Sequence, residues 1–268
     1  MISDESTVIV TGATGGIGLQ TARELVGRVR HVIVQGPEPA HQVHPVLHLL
    51  TQGAAKLDYV SCNFERLDDV AAAARSMASI AGGPVDALIN NAGIPGATTR
   101  QVTPDKHERT LQVNFLAMVL LTEELLPALA DDARVVNLAS ATHEMTDLDL
   151  ADIELERSYD AVRAYARSKL AIILYTRWLA GRTDRGVTPV SLSPGVISTP
   201  LLHAMFNVGG VSVRRGADNV LAALTGPARP GDYFDDGALV EPSAQARDAR
   251  LGRALMDYAL DAVRPSLS

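Results

Sequence analysis

The chain has 268 residues, a formal net charge of −7, 47% hydrophobic residues and 21% charged residues. This composition is that of a globular protein, and the negative charge argues against nucleic acid or an anionic membrane surface as the main partner. The single cysteine, Cys62, excludes an internal disulfide and fits a reducing compartment, while no uninterrupted apolar run approaches the ~18 residues of a membrane span. Residues 1–6 are polar and acidic, unlike a signal peptide. We therefore expect a cytoplasmic protein with no nucleic-acid or membrane partner.

A glycine-rich turn follows the first predicted strand. Residues 7–10 form a β-branched run typical of a buried strand, and apolar residues at helical spacing begin after Gly18. The sequence TGATGGIG at 11–18 lies between them and satisfies both G-x-x-x-G-x-G and G-x-x-G-x-x-G. A strand, a tight glycine turn and a helix N-terminus together present backbone N–H groups to a pyrophosphate. The stretch therefore predicts a nucleotide site.

The second predicted strand, 31–35, ends before Gly36, Pro37 and Glu38. In dinucleotide folds the residue at this end contacts the adenosine ribose. Glu38 could accept a hydrogen bond from the ribose 2′-OH, which favours NAD, or it could face solvent. Gly36 would leave room for a 2′-phosphate, but no cation is obvious beside it. The choice between NAD and NADP stays open.

Three histidines, His41, His44 and His48, lie in the irregular segment 39–55. Asp, Glu and Cys are not interleaved with them at the spacing of metal ligands. We expect a solvated loop with a short helix there, and no metal site.

The later predicted strands and helices alternate. Strands are predicted at 56–61, 85–89, 134–140, 187–192 and 232–234, and helices at 67–80, 104–129, 158–181, 214–224 and 245–263. For the second of these helices, Thr103 is the expected cap and Pro104 the first residue. This alternation predicts an α/β fold, a Rossmann-type doubly wound parallel sheet in a single domain spanning residues 1–268.

Polar residues stand at two notable positions. Asn114 lies inside an apolar helix, where an amide needs a hydrogen-bond partner or a role. Ser140 ends the strand 134–140, and ligands bind at that end of parallel strands. The loop 141–158 is long enough to be functional. The apolar segment at about 200–213 predicts a mobile lid over a small substrate, with an ordinary surface helix as the alternative.

Tyr165 and Lys169 are four residues apart in the sequence YARSK. On a helix they project from the same face, so the ammonium should lower the pKa of the phenol. Such a tyrosine can exchange a proton near neutral pH, as carbonyl reduction requires. The alternative is a surface tyrosine beside a solvated lysine.

These motifs together resemble the short-chain dehydrogenase/reductase family. TGATGGIG, NNAG at 90–93, Asn114, Ser140, YARSK and SPGVIST at 193–199 fall in the family's order and approximate spacing along nearly the whole chain. The 25-residue separation of Ser140 and Tyr165, together with GDYF at 231–234 and EPS at 241–243, resembles the retinol-dehydrogenase-like branch.

The resemblance implies an NAD(P)-dependent oxidoreductase acting on an alcohol or carbonyl group of a small, largely apolar substrate. Tyr165 would be the general acid/base, and Lys169 would lower its pKa and hold the nicotinamide ribose. Ser140 would orient the substrate oxygen, and Asn114 would anchor a water in a proton path. All four positions carry the family's residue, so we expect an active enzyme.

The resemblance also implies a set of cofactor contacts and an assembly. The cofactor contacts besides Tyr165 and Lys169 would be Gly12, Thr14, Gly15, Gly16, Ile17, Gly18, Gly36, Glu38, Asn63, Phe64, Asn91, Ala92, Gly93, Pro194, Gly195, Ile197 and Thr199, with Asn90 lining the cleft. Relatives pair through the helices at 104–129 and 158–181, which implies a homodimer or homotetramer.

Three residues depart from the family pattern, and the departures at Ser193 and Ile172 leave the substrate open. Asn63 stands where the family usually has Asp, Ser193 where the branch often has His, and Ile172 where it often has Asn. A catalytically silent, dinucleotide-sensing regulatory protein is one alternative. A sugar-nucleotide epimerase or dehydratase is another, against which NNAG and the lack of a sizeable C-terminal substrate domain argue.

Overall fold

A computed structural model describes residues 2–43, 47, 55–183 and 185–267 of the chain. One eight-stranded sheet runs through this part of the chain. Its strands are β1 Thr7–Val10, β2 His31–Gly36, β3 Lys56–Ser61, β4 Val85–Asn90, β5 Leu129–Leu138, β6 Thr188–Ser193, β7 Tyr233–Asp235 and β8 Ala238–Val240.

The strand order is β3-β2-β1-β4-β5-β6-β7-β8. Every neighbouring pair from β3 through β7 is parallel, and β1 lies between β2 and β4. The strand order reverses beside β1, and ligands of such sheets bind outside the carboxyl ends of the strands at that point. The predicted doubly wound parallel sheet is confirmed.

The sequence analysis does not predict β8, which pairs antiparallel with β7. The turn between them is Asp236-Gly237, with φ angles of 45° and 86°. Two positive φ angles are typical of the type I′ hairpin turn, for which Asp-Gly is a favoured pair. The Asp-Gly pair was therefore the available signal for this short edge strand.

The described residues contain seven helices, six of which cover the two faces of the sheet. They are α1 Gly16–Leu25, α2 Leu67–Ala81, α3 Arg109–Ala128, α4 Ala161–Ala180, α5 Pro200–Phe206, α6 Val213–Thr225 and α7 Ala249–Val263. Helices α1 and α6 pack together over one apolar core, and α2, α3, α4 and α7 pack over the other.

Helix α3 begins at Arg109, and the predicted start at Pro104 is wrong. Val102 pairs with Glu108 across a turn in which Lys106 has a φ of 70°. The buried Glu108 carboxylate accepts hydrogen bonds from the Thr110 and Leu111 amides, at 2.9 and 2.7 Å. Glu108, and not Thr103, therefore satisfies the free N–H groups of the first helical turn.

The predicted terminal helix 245–263 is divided into two pieces. A 3₁₀ turn, Gln245–Arg247, precedes Asp248, whose carboxylate caps α7 through the Arg250 and Leu251 amides at 2.8 and 3.1 Å. Helix α7 packs against α3 and α4.

Helices α3 and α4 offer little free surface for pairing. Residues 164–176 of α4 are all buried within the single chain, partly under α7. Helix α3 is long and apolar enough by composition to cross a membrane, but 72% of its most apolar window is buried inside the fold. The homo-oligomer that the resemblance implies stays a prediction.

Two irregular segments complete the description. The loop after β5 contains 3₁₀ turns at Ala141–Met145 and Leu150–Asp152. His41 lies in an exposed 3₁₀ turn, whereas His44 and His48 lie outside the described residues. Within the described residues, no group of three or more His, Cys, Asp or Glu side chains is placed to hold a metal ion.

Candidate active site

The glycine loop between β1 and α1 packs tightly against the loop after β4. Gly12 has a φ of 62°, and a Cβ on it would lie 2.7 Å from Ala92 Cα. A Cβ on Gly18 would lie 2.3 Å from the Gly12 carbonyl oxygen. The side-chain Nδ2 of Asn91 donates to the Thr11 and Gly12 carbonyls at 2.8 and 3.0 Å. Gly12 and Gly18 are therefore needed for backbone packing as well as for the turn.

The same loop is open at Gly15 and Gly16. A Cβ on Gly15 would meet no described atom within 4 Å, and one on Gly16 would meet only the Thr199 methyl group, at 3.6 Å. Gly15 caps α1 without a side-chain hydrogen bond. The free N–H groups of the helix N-terminus and the open space beside them fit a pyrophosphate.

Three side chains crowd the Cβ position of Gly36. A Cβ on Gly36 would lie 2.3 Å from the Thr14 methyl, 2.9 Å from Glu38 Oε2 and 3.0 Å from the Tyr59 hydroxyl. A side chain at position 36 would therefore not fit, and the space for a 2′-phosphate beside Gly36 stays a prediction. Glu38 Oε2 is buried and has no hydrogen-bond partner among the described residues. A buried carboxylate oxygen of this kind is suited to accept from a ribose hydroxyl.

Three predicted cofactor residues are occupied by contacts within the fold. The Asn63 side chain accepts from the Glu65 amide at 3.0 Å, and the Phe64 ring is buried in a hydrophobic core. Asn90 donates to Thr122 Oγ1 and Asn137 Oδ1 at 3.0 and 2.8 Å. The Asn90 amide thus faces the buried α3 side of the sheet, and its predicted place lining the cleft is wrong.

Asn114 lies in a π turn, Gln112–Leu116, within α3. Its Nδ2 donates to the Ile94 carbonyl at 3.1 Å and to Ser168 Oγ at 3.0 Å, while its Oδ1 accepts from the Ile94 amide at 2.8 Å. A Cβ on Gly93 would be 3.4 Å from Asn114 Oδ1 and 3.6 Å from Lys169 Nζ. The structure therefore brings Asn114, Gly93 and Lys169 together.

Ser140, Tyr165 and Lys169 converge beyond the carboxyl end of β5. Ser140 is extended, with φ −165° and ψ 150°, and its hydroxyl lies within hydrogen-bonding reach of the Tyr165 phenol. Lys169 Nζ donates to the Leu138 carbonyl at 2.8 Å and lies 5.4 Å from the centroid of the Tyr165 ring. Asp160 caps α4 by accepting from the Arg163 amide at 2.9 Å, which fixes the start of the helix that carries Tyr165 and Lys169.

Burial dominates the electrostatics of this group. It raises the pKa of the Tyr165 phenol to about 12, and the hydrogen bond with Ser140 offsets only part of that effect. Burial also lowers the pKa of the Lys169 ammonium to about 8. The predicted fall of the Tyr165 pKa is therefore wrong for this structure, because the cost of desolvating the phenolate outweighs any stabilisation by Lys169.

The segment after β6 returns to the glycine loop. A Cβ on Gly216 of α6 would lie 3.0 Å from Ile17 Cγ1 and 3.1 Å from Ile197 Cγ1, which places these two predicted residues side by side. The Pro194 carbonyl accepts from Asn219 Nδ2 at 3.0 Å, and Gly195 has a φ of 89°. The glycine loop and the segment after β6, two separate predicted parts of the cofactor site, thus meet beside α1.

Helix α5 begins the predicted lid segment. Thr199 caps it by accepting from the Leu202 amide at 3.2 Å, and Asn207 ends it in the left-handed region. Near its end, Met205 Sδ accepts from the Gly96 amide at 3.3 Å. The segment therefore reaches across to the loop after β4, and its opening and closing remain a prediction.

Sequence reasoning missed two residues that support the glycine loop. Gln35 Oε1 accepts from the Gly12 amide at 3.0 Å, and Gln35 Nε2 donates to the Cys62 carbonyl at 2.8 Å. Thr11 Oγ1 accepts from the backbone N–H groups of Asn91 and Ala92, each at 3.0 Å. A polar residue at the end of an apolar strand was the signal in both cases.

The chain matches a sequence profile described as short chain dehydrogenase over residues 6–207. It is 35% identical to polyprenol dehydrogenase of Mus musculus, over 92% of this chain and 80% of that protein. It is 32% identical to human retinol dehydrogenase 12, over 95% of this chain and 85% of that protein.

Solved structures give the same result for the fold. A crystal structure of an uncharacterized protein from Mycobacterium paratuberculosis matches with a TM-score of 0.83 and 26% identity, covering 98% of this chain and 96% of that one. NADPH-bound carbonyl reductase from chicken fatty liver matches with a TM-score of 0.72 and 24% identity, covering 91% of this chain and 100% of that one. The chain therefore belongs to the short-chain dehydrogenase family, in its retinol-dehydrogenase-like branch, and is an NAD(P)-dependent oxidoreductase acting on alcohol or carbonyl groups.

Proposed function

We propose that the chain interconverts an apolar alcohol and its carbonyl compound, with Tyr165 as the general acid/base. The convergence of Tyr165, Ser140 and Lys169 beside the open glycine loop carries this proposal. A proton donor, a second hydroxyl and a cation at one point are the groups that the reaction requires of the protein.

In the reducing direction, Tyr165 donates its phenolic proton to the carbonyl oxygen. The Ser140 hydroxyl donates a hydrogen bond to the same oxygen and stabilises the charge that develops on it. Lys169, whose pKa is about 8, is protonated at neutral pH and stabilises the phenolate that remains. The nicotinamide, when bound, supplies or accepts the hydride.

Several elements would hold the dinucleotide. The α1 N-terminus at Gly15 and Gly16 would bind the pyrophosphate, and Glu38 would accept from the adenosine ribose. Lys169 and Tyr165 would meet the nicotinamide ribose. The buried, unpaired oxygen of Glu38 favours NAD over NADP, because its carboxylate would repel a 2′-phosphate.

The substrate we propose is an apolar, chain-like alcohol or aldehyde. The names of two relatives, polyprenol dehydrogenase and retinol dehydrogenase 12, support this class. The segment that would cover the substrate carries exposed aliphatic residues, with Val208 46% and Val211 54% exposed. Citronellal, all-trans-retinal and cyclohexanone, with their alcohols, form a first panel that separates chain-like from compact substrates.

Tyr165→Phe tests the proposal directly. Removal of the acid/base hydroxyl should lower kcat by about 10²- to 10⁴-fold, whereas the Kd for NADH or NADPH should rise by less than about tenfold, because only one hydrogen bond to the ribose is lost. Tyr175→Phe is the matched control, because it lies on the same helix and its hydroxyl donates to Glu123 Oε1 at 3.3 Å, away from the site. Unchanged turnover in Tyr165→Phe contradicts the assignment. Cofactor binding by the wild type with no turnover across the panel favours the regulatory alternative.

We also propose a cytoplasmic protein with neither nucleic acid nor a membrane as partner, on the basis of its net charge of −7. Any homodimer or homotetramer would use surfaces other than the buried lengths of α3 and α4. Cell fractionation checks the first proposal, and size-exclusion chromatography with light scattering checks the second. Recovery with membranes, or a dimer broken by exposed-residue changes confined to α4, would contradict them.

A further inference from the structure

His143 is a buried histidine three residues after Ser140, in the 3₁₀ turn Ala141–Met145. It is 1% exposed, and both ring nitrogens have partners. Its Nδ1 lies 2.9 Å from the Ser140 carbonyl oxygen, and its Nε2 lies 3.2 Å from the Ser243 amide nitrogen. A buried imidazole paired at both nitrogens is fixed in orientation.

The two partners of His143 determine its tautomer. A carbonyl oxygen can only accept a hydrogen bond, and a backbone N–H can only donate one. The proton of the neutral ring therefore lies on Nδ1 and is donated to Ser140, while the lone pair of Nε2 accepts from Ser243. The opposite tautomer would leave both contacts unmade.

The partners of His143 come from the two C-terminal motifs of the sequence. Tyr233, in GDYF, meets the His143 ring edge-on, with centroids 5.2 Å apart and an interplanar angle of 72°. Ser243 ends the EPS motif. Two residues further on, Gln245 Oε1 accepts from the Leu148 amide at 2.8 Å. Ser243 and Gln245 thus each hold the loop after β5, and of these two contacts the one with His143 reaches Ser140.

Backbone amides of the same 3₁₀ turn also hold Ser140. Its carbonyl accepts from the His143 backbone amide at 3.0 Å as well as from the ring, and its Oγ accepts from the Thr142 amide at 3.2 Å. These contacts define the extended backbone that turns the Ser140 hydroxyl toward Tyr165.

We propose that His143 is a positioning residue for the reaction. Fixed by Ser243 and Tyr233, it holds the Ser140 peptide so that the Ser140 hydroxyl meets the substrate oxygen beside Tyr165. The two C-terminal motifs therefore act on the catalytic serine through one imidazole. This inference rests on the proposed function of Ser140 and Tyr165.

A pair of substitutions separates positioning from packing. In His143→Asn the amide nitrogen can replace Nδ1 as donor to Ser140, whereas in His143→Gln the amide reaches the position of Nε2 and that donor is lost. Measured with NADH or NADPH and the best substrate of the panel, kcat should fall about tenfold or more in His143→Gln and less than about threefold in His143→Asn. The cofactor Kd should stay within about twofold in both.

Gln245→Ala is the matched control, since it loosens the same loop at the contact that does not reach Ser140. Its kcat should stay within about twofold of the wild type. Equal losses of kcat in the Asn and Gln variants, with equal losses of Tm, would show general packing and overturn the proposal. A loss of kcat in Gln245→Ala as large as in His143→Gln would also overturn it.

The tautomer provides a test that does not depend on turnover. A long-range ¹H–¹⁵N correlation spectrum of the wild type, with the His143 signals assigned by their loss in His143→Asn, should show a protonated Nδ1 and an unprotonated Nε2. The reverse tautomer overturns the proposal even if the enzyme is active. A wild type with the expected tautomer but no turnover counts against the proposed function instead.

Discussion

Lys169 shows what an active site demands of a single side chain. Its ammonium is buried, it donates one hydrogen bond to the Leu138 carbonyl, and its pKa is lowered to about 8 by burial. The folded protein therefore carries the cost of a desolvated charge at neutral pH. Residues placed for function commonly reduce stability in this way.

The lowered pKa of Lys169 predicts how stability depends on pH. Between about pH 8 and pH 10.5 the unfolded chain keeps the Lys169 proton and the folded chain loses it, so the free energy of unfolding rises with pH in this window. Lys169→Met has no such group. Compared with Lys169→Met, the wild type should therefore gain about 2 kcal/mol between pH 7 and pH 9.5.

Chemical denaturation of the cofactor-free proteins at both pH values measures this gain. Lys56→Met is the control, because its Nζ is exposed and pairs with Asp58 at the opposite end of the sheet. A constant difference in unfolding free energy between wild type and Lys169→Met at the two pH values would show that Lys169 is not desolvated in the folded state.

Glu38 provides the residue-scale prediction for cofactor choice. Its unpaired buried oxygen should give NADH a Kd about tenfold or more below that of NADPH, because a charged acceptor strengthens a hydrogen bond to ribose. Glu38→Gln should reduce this preference to about threefold or less. Side-by-side fluorescence titrations measure it, with the remote and exposed Glu241→Gln as control. Tighter binding of NADPH to the wild type would refute the assignment.

At the scale of elements, one glycine of the glycine loop serves backbone packing and another leaves space for a ligand. Gly18 is filled on its Cβ side by the Gly12 carbonyl, whereas Gly15 has no described atom within 4 Å and an extended φ of −163° that any residue can adopt. The two glycines belong to one sequence motif but meet different surroundings, so the same substitution should have different consequences.

Gly15→Ala should fold with a Tm close to the wild type and weaken NADH binding by about tenfold or more, because its methyl group enters the space beside the helix N-terminus. Gly18→Ala should lower the free energy of unfolding by about 1–3 kcal/mol or more, because the loop must shift. Denaturation and cofactor titration of both variants measure this contrast. An equal loss of stability in the two variants would contradict the open site at Gly15.

The elements also show why parts of the structure were predictable. The buried strand β1 is a continuous β-branched run that ends before Thr11 and Gly12, and the less buried β3 alternates polar and apolar residues, so the limits of both follow from local sequence. The start of α3 does not follow from local sequence. Thr103 and Pro104 satisfy the local pattern for a helix start, but the cap is Glu108. The burial of the Glu108 carboxylate depends on the surrounding fold.

Within the site, too, some features follow from the sequence and others depend on the folded structure. The order of the motifs predicts that Ser140, Tyr165 and Lys169 meet, and the structure brings them together. The direction of the Tyr165 pKa was not predictable, because it is set by burial. The role of His143 was not predictable either, since its partner Ser243 lies 100 residues further along the chain.

The whole molecule places the site where two packed layers meet at the sheet. The layer of α1 and α6 supports the glycine loop and Ile197, and the layer of α3 and α4 supports Asn114, Tyr165 and Lys169. Helix α7 closes the second layer, and its Leu255 and Met256 are buried against it. The C-terminal segment is therefore part of the core that holds the catalytic helix.

Leu255→Ala tests whether α7 is an integral part of this core. Leu255 is 0% exposed, so the truncated side chain should lower the free energy of unfolding by about 2–5 kcal/mol. The Kd for NADH should be unchanged, because α7 packs on α3 and α4 in one core, whereas the glycine loop packs in the other. Arg253→Ala, an exposed position on the same helix, should change the unfolding free energy by less than about 0.5 kcal/mol. Urea denaturation of the wild type and the two variants measures these differences. If Leu255→Ala is as stable as Arg253→Ala, α7 is only loosely attached, and another part of the chain must account for the burial of α4.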